Sequence, residues 1–314
     1  MDKTCDCLCI GLIVADLLVR PVNSNIFSID TSIADEIKLM PGGDAINEAI
    51  VMARLGAKVG LAGKVGRDPF GQIALNQAAE NRVNVKNVKI DATTKTAVSI
   101  VLINEKGERN FVFCPGNNDV FTINDIDLSM IKQTKIVNIG SIFGMPLLDR
   151  GGIETIFKIA HEHNVITTAD VTHDVTKLGF EGITNILKVT DIFMPSLIEA
   201  AYLTKETKPE KMADALLRSG VKTVVIKLGD KGCYIKSAGE THNIAAYPTK
   251  VVDTTGAGDN FVAGFLTGVL KGWDLERCGM LANATGALCV QNMGATTSVK
   301  SFDQVLNYME KQEF

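Results

Sequence analysis

Asp253-Thr254-Thr255-Gly256-Ala257-Gly258-Asp259 decides the reading of this chain. A β-like run, Tyr247 to Val252, precedes it and a helical pattern follows. Phe261, Phe265 and Val269 form one i, i+4 ladder, and Val262, Leu266 and Leu270 form a second. That spacing predicts a helix running to about Lys271. Ala263, Gly264 and Gly268 lie among the large residues and let a sheet or second helix come close. Glycines bend the chain into the helix without a Cβ penalty. The first helical N–H groups lack intrahelical partners, and the helix dipole adds positive charge there. The turn is therefore suited to an anion, a phosphate or a transferring phosphoryl group. Asp259 falls in the first turn. Its carboxylate either caps the helix or takes a proton from a hydroxyl about to attack phosphate.

A second glycine motif lies far upstream. Pro41-Gly42-Gly43 opens a helical pattern from Asp44 to Leu55, with Ile46, Ile50, Met52 and Ala53 apolar and Gly56 as a stop. Asn47 is one turn in, where its amide can both donate and accept.

Composition narrows the class. The 314 residues are 46% hydrophobic and 22% charged, with a net charge of −4 and no basic run. Nucleic acid is not expected as a partner. No apolar run reaches membrane-spanning length, and no basic leader with a cleavage site opens the chain, so a cytoplasmic protein with no membrane partner is expected. Of seven cysteines, Cys5, Cys7 and Cys9 alternate and share one strand face; buried thiols are expected there rather than a metal site. A P-loop is absent, and Phe261 stands where a dinucleotide fingerprint needs its third glycine.

Along the chain, Cys5 to Val14 reads as a buried first strand that delivers Asp16 to the ligand edge of a sheet. Pro21 to Met40 carries short strands. Val59 to Val65 reads as a strand and Phe70 to Asn81 as a helix. Thr96 to Ile103 and Arg109 to Phe113 form a hairpin around 104–108. Arg109 and Asn117 or Asn118 either reach a substrate or stand in solvent. From Lys135 strands and helices alternate, which predicts parallel strands with crossovers. Val221 to Leu228 reads as another buried strand, and the tail from Phe302 to Phe314 as a helix.

Asp253 to Asp259 resembles the C-terminal signature of the ribokinase-like (PfkB) carbohydrate kinases. Pro41 to Asn47, running on to Ala53-Arg54-Leu55-Gly56, resembles their N-terminal signature, and the resemblance spans nearly the whole chain. It implies an α/β fold, a three-layer α/β/α sandwich with a mostly parallel central sheet and a small β-sheet lid. Residues 1–314 would form one such domain, with lid segments at roughly 17–40 and 93–118. The implied activity is ATP-dependent transfer of the γ-phosphate to a hydroxymethyl group of a small carbohydrate. A nucleoside kinase of the same fold and a non-catalytic sugar or nucleotide sensor are the alternatives.

Carried over residue by residue, the resemblance makes Asp259 the general base and the backbone N–H groups of Gly256, Ala257, Gly258 and Asp259 the anion hole. Asp16, Gly42, Gly43 and Asn47, with Asp259, would hold the acceptor. ATP would lie along the turn carrying Lys227, Gly229 and Gly232 and beside Asn283. Glu199 would order magnesium indirectly, and Asp253 with Ser298 would hold a potassium ion. A homodimer through the lid is also implied. Four positions depart from the better-known subgroups. Asp44 stands where ribokinases proper have lysine. Thr172 and Asp174 replace the D-x-N-x-R of many fructose- and ketodeoxygluconate-type relatives. Ser196 replaces an asparagine.

Overall fold

The structure, a computed structural model, describes residues 3–105 and 107–312. Lys106 of the expected hairpin turn, and 313–314 of the expected tail helix, lie outside the described residues. In chain order the elements are β1 (Cys5–Gly11), β2 (Val14–Arg20), β3 (Glu36–Gly42), α1 (Asp44–Arg54), β4 (Val59–Gly66), α2 (Pro69–Glu80) and β5 (Asn84–Asp91). Then come β6 (Ala97–Ile103), β7 (Arg109–Cys114), β8 (Thr134–Ile142), α3 (Gly152–Glu162), β9 (Ile166–Val171) and α4 (Gly179–Leu187). They are followed by β10 (Ile192–Phe193), α5 (Leu197–Thr204), α6 (Pro209–Arg218), β11 (Thr223–Lys227), β12 (Cys233–Ser237) and β13 (Thr241–Ile244). Three helices close the chain: α7 (Ala257–Leu270), α8 (Leu275–Cys289) and α9 (Phe302–Gln312).

Nine strands form one sheet in the order β13-β12-β11-β10-β9-β8-β1-β4-β5. All neighbours from β11 to β5 are parallel, and β12 and β13 add an antiparallel edge. The alternation of β1 explains the two layers of helix. Cys7 and Cys9 face one core with Ile46, Ile50, Phe261 and Phe265, which brings α1 and α7 onto that side. Leu8 and Ile10 face the other, with Ile153, Phe157, Ile183 and Leu216 of α3, α4 and α6. The three thiols are buried, as their spacing predicts, and no cluster able to hold a metal occurs among the described residues. No helix among those residues is long and apolar enough to cross a membrane.

The glycines of α7 do what their spacing suggests. A Cβ on Gly264 would lie 2.9 Å from Ala282 Cα, and one on Gly268 would lie 2.8 Å from Cys278 Sγ. Helix α8 therefore packs at backbone distance.

A separate four-stranded sheet, in the order β3-β2-β6-β7, has a small core of Leu18, Met40, Val101 and Ile103. Its strands fall within or close to the expected lid segments. The first strand is shorter than expected. It stops at Gly11, and Val14 already begins β2 in the second sheet. Asp16 thus sits inside a lid strand, opposite Met40 and Ser99, not in a loop after the first strand. Tyr247 to Val252 is not a strand either. It runs as irregular chain with Val251 and Val252 exposed, because β13 has already ended the sheet.

Candidate active site

Parallel strands end on one edge, and ligands collect there. Here the edge receives the ends of β1, β9 and β11 and the starts of α1 and α7. Gly256 enters α7 in the left-handed region, φ 74°, with Ala295 where its Cβ would be. The Ala257 N–H is used within the turn, on Thr254 O at 3.2 Å. It is not a free donor, contrary to the expected anion hole. The N–H groups of Gly258 and Asp259 have no acceptor among the described residues. The Asp259 carboxylate accepts from Asn47 Nδ2 at 2.8 Å, which ties the two glycine motifs together. Burial, then the nearby Asp44, pushes Asp259 well above the ordinary carboxylate range; Asn47 opposes that.

The start of α1 supplies the other wall. Gly43 has φ 93°, and a Cβ there would lie 2.6 Å from Leu12 O. A Cβ on Gly42 would fall on the Asp16 carboxyl, so glycine there lets the lid-borne acid into the site. Burial raises Asp16 to about 7, with Asp44 and Asp253 adding repulsion. Asp44 is held by the Ser141 hydroxyl. Beneath it, the fully buried Glu48 accepts from Asn138 Nδ2 at 2.6 Å, and Asn138 Oδ1 accepts from Thr168 at 2.7 Å. Burial keeps Glu48 well above its usual range.

Lys227, the last residue of β11, is ion-paired with Asp170 near the end of β9. Beside it a cavity of about 560 Å3 is lined by Gly229, Gly232, Tyr247, Gly258 and Asn283, among others. Lys227, Gly229, Gly232 and Asn283, distant in sequence, thus border one space. Gly232 has φ 93° and lies against the backbone of 244–246. Asn283 donates to the carbonyls of Ile244 and Ala245 at 3.2 and 3.1 Å, so its amide also pins the end of β13. The irregular segment 246–251, strand-like in its residues, lines the same cavity.

Glu199 forms a reciprocal cap with Ser196: Ser196 N–H donates to it at 2.7 Å and Glu199 N–H donates to Ser196 Oγ at 3.3 Å. Asp253 Oδ1 accepts from Arg109 and from Thr255 N–H at 2.9 and 3.0 Å, and Oδ2 accepts from Gly294 N–H at 2.9 Å. Ser298 Oγ donates to Cys289 O at 3.1 Å. Asn117 and Asn118 are buried under the lid, not exposed. Sequence reasoning missed the pairing of Asp170 with Lys227, the buried Glu48 and the grip of Arg109 on the 253–255 turn. Only an acid and a base at two strand ends hinted at the first of these.

The chain is similar to known proteins over most of its length. The pattern of the pfkB family carbohydrate kinases matches residues 5–301. An uncharacterized sugar kinase of Archaeoglobus fulgidus is 34% identical over 78% of this chain and 96% of its own. Probable fructokinase-5 of Arabidopsis thaliana is 32% identical over 81% of this chain and 83% of its own. Among solved structures, Arabidopsis thaliana ribokinase complexed with ribose and ATP superposes with a TM-score of 0.83 at 25% identity, covering 99% of both chains.

Proposed function

We propose, since the chain belongs to the pfkB family of carbohydrate kinases, that it transfers the γ-phosphate of ATP to a hydroxymethyl group of a small carbohydrate. The observation that carries this is the position of Asp259. It follows Gly258, which borders the cavity, and its carboxylate accepts from Asn47 of the other glycine motif. A proton acceptor at that junction suits an in-line transfer, in which positioning and charge neutralisation supply most of the catalysis.

In this reading Asp259 takes the acceptor's proton, and the Gly258 and Asp259 N–H groups face the transferring phosphoryl group. Asp16, Gly42, Gly43 and Asn47 hold the acceptor. Lys227, Gly229, Gly232 and Asn283 hold the nucleotide; what supports this is that they border one cavity of nucleotide size. Magnesium would neutralise the β- and γ-phosphates. Glu199, whose carboxylate has one oxygen in its cap, fits an ordering role through water rather than direct ligation. For potassium, Asp253 Oδ2 and Ser298 are the donors; Arg109 already covers the other oxygen of Asp253.

We read 1–314 as one catalytic unit of the cytoplasm, with the small sheet as its lid. A homodimer through that sheet is supported by the exposed apolar side chains of Ile37, Phe111 and Phe113. Light scattering tests it, and a monomer at micromolar concentration refutes it.

The deciding experiment is ADP release from magnesium-ATP against ketoses, aldoses, sugar acids, sugar phosphates and nucleosides, with potassium or tetramethylammonium as the monovalent cation. Turnover of one monosaccharide names the acceptor. Turnover confined to nucleosides, or ATP binding without any ADP, overturns the reading.

A further inference from the structure

We propose that Lys227 is the cationic group that meets the γ-phosphoryl group, and that Asp170 is its positioning residue rather than a contact to the acceptor. The inference rests on the kinase reading above and assigns two residues within it.

The sheet itself brings this pair together. Strands β9 and β11 are not neighbours; β10 lies between them and is two residues long. Phe193, its last residue, pairs with Ala169 on one side and Val224 on the other. Asp170 follows Ala169, whereas β11 continues to Lys227. The chain that leaves β10 stays between them: Met194 N–H donates to Ala169 O, Lys227 N–H donates to Pro195 O, and Ser196 bridges Lys227. The outer strands are thus about 10 Å apart, and a lysine stem is long enough to bring its ammonium across that distance to a carboxylate, as it does here. The side chains are 13% and 6% exposed.

A buried ion pair is weak evidence for stability, because desolvation offsets most of the attraction. Its location is the informative part. Lys227 Nζ lies 3.4 Å from where a Cβ on Gly258 would be. It therefore stands at the first turn of α7, beside the free N–H groups of Gly258 and Asp259, and on the wall of the cavity. The carboxylates of Asp44, Asp170 and Asp259 all feel its charge. A triphosphate entering a site so rich in carboxylates needs a fixed cation where its terminal phosphate arrives. Asp170 fixes the ammonium before the nucleotide binds. Although burial works against it, the charges of Asp170 and Glu199 hold Lys227 above its usual range and so protonated.

The test needs no acceptor. Binding of ADP and of β,γ-imido-ATP, each with magnesium, is measured by calorimetry for wild type, Lys227→Met, Lys227→Arg and Asp170→Asn. A charged hydrogen bond to phosphate is worth about tenfold or more in affinity. Lys227→Met should lose about that for imido-ATP and much less for ADP, and Lys227→Arg should keep most of it. Equal losses on both nucleotides, no loss on either, or identical behaviour of the methionine and arginine variants overturns the proposal. Asp170→Asn should make the imido-ATP preference fade at a lower pH than in wild type, as the unpaired lysine gives up its proton more readily. A pH dependence identical to wild type refutes the positioning role. Because Lys227→Met leaves a buried carboxylate unpaired, the Asp170→Asn/Lys227→Met double variant, neutral at both positions, is carried alongside; it too should lack the preference. If wild type binds neither nucleotide, it is the kinase reading that fails, not only the role of the lysine.

Discussion

Arg109 on lid strand β7 is ion-paired with Asp253, which begins the turn before α7, at 2.9 Å. Its guanidinium also donates to the hydroxyls of Thr254 and Thr255. One side chain thus joins the small sheet to the turn that leads into α7. The pair is largely buried, with Asp253 5% exposed at its side chain. Breaking it does more than free a surface charge, because Asp253 also fixes Thr255 and Gly294.

Arg109→Ala should therefore lower kcat/KM by about ten- to a hundredfold, the worth of one or two charge-assisted hydrogen bonds. The lid hairpin should also become more sensitive to limited proteolysis. Arg109→Lys should recover little, since an ammonium cannot grip a carboxylate and two hydroxyls with one planar fork. Unchanged kinetics in the alanine variant would mean that the contact is incidental to catalysis.

Asp259→Asn tests the base itself. The Asn47 contact at 2.8 Å can survive, because an amide oxygen still accepts from Asn47 Nδ2. Folding and nucleotide affinity should stay near wild type while kcat falls by about a thousandfold, within the usual range for removing a general base. Near-normal kcat in a folded variant would sink the assignment.

Much of this site was legible because its parts are local. Gly42-Gly43 before a helix, Gly256-Ala257-Gly258 before another, and Asp259 in a first turn are short-range patterns set by backbone sterics. The long helices and buried parallel strands were legible from apolar periodicity. What escaped was non-local or weakly patterned. Asn84 to Asp91 alternates asparagine and lysine with valine, yet it pairs as the edge strand β5, where one side needs no apolar cover. Tyr247 to Val252 has strand-like residues, but its backbone lines a cavity instead of a ladder. Asp170 and Lys227 meet from two strands that are not neighbours in the sheet, a relationship set by three strands at once. Asp16 reaches the site from the lid, not from β1, although its place beside Gly42 is the expected one.

The pH response follows from the same carboxylates. Burial, Asp44 and Asp253 raise Asp16 to about 7, and burial with Asp44 raises Asp259 well above the ordinary carboxylate range. In the proposed reaction both act ionised, Asp16 to accept from acceptor hydroxyls and Asp259 to accept a proton. Activity should therefore be lost as pH falls. In wild type the acid limb of kcat/KM should be steeper than one proton, and Asp16→Asn should remove one proton from its slope. A flat profile between pH 5.5 and 8.5, or an unchanged slope in the variant, contradicts this.

Stability should show the opposite dependence, and Asp149 isolates it away from the catalytic groups. This side chain is 2% exposed, and burial raises it to about 7 against the hydrogen bonds from Phe143 and Met145. Its Oδ1 has no partner among the described residues. A carboxyl raised on folding holds its proton more tightly in the native state. The stability it contributes is full below the unfolded value near 4 and is lost as pH rises through about 7. Asparagine keeps the shape and cannot ionise. Thermal melts of Asp149→Asn should thus lie above wild type at pH 8 and close to it, or below, at pH 5. The difference at pH 8 should be on the order of 1–3 kcal/mol. Parallel melting curves for the two proteins across that range would show that Asp149 titrates normally, and that a bound water or a rearranged 143–149 turn already satisfies its charge.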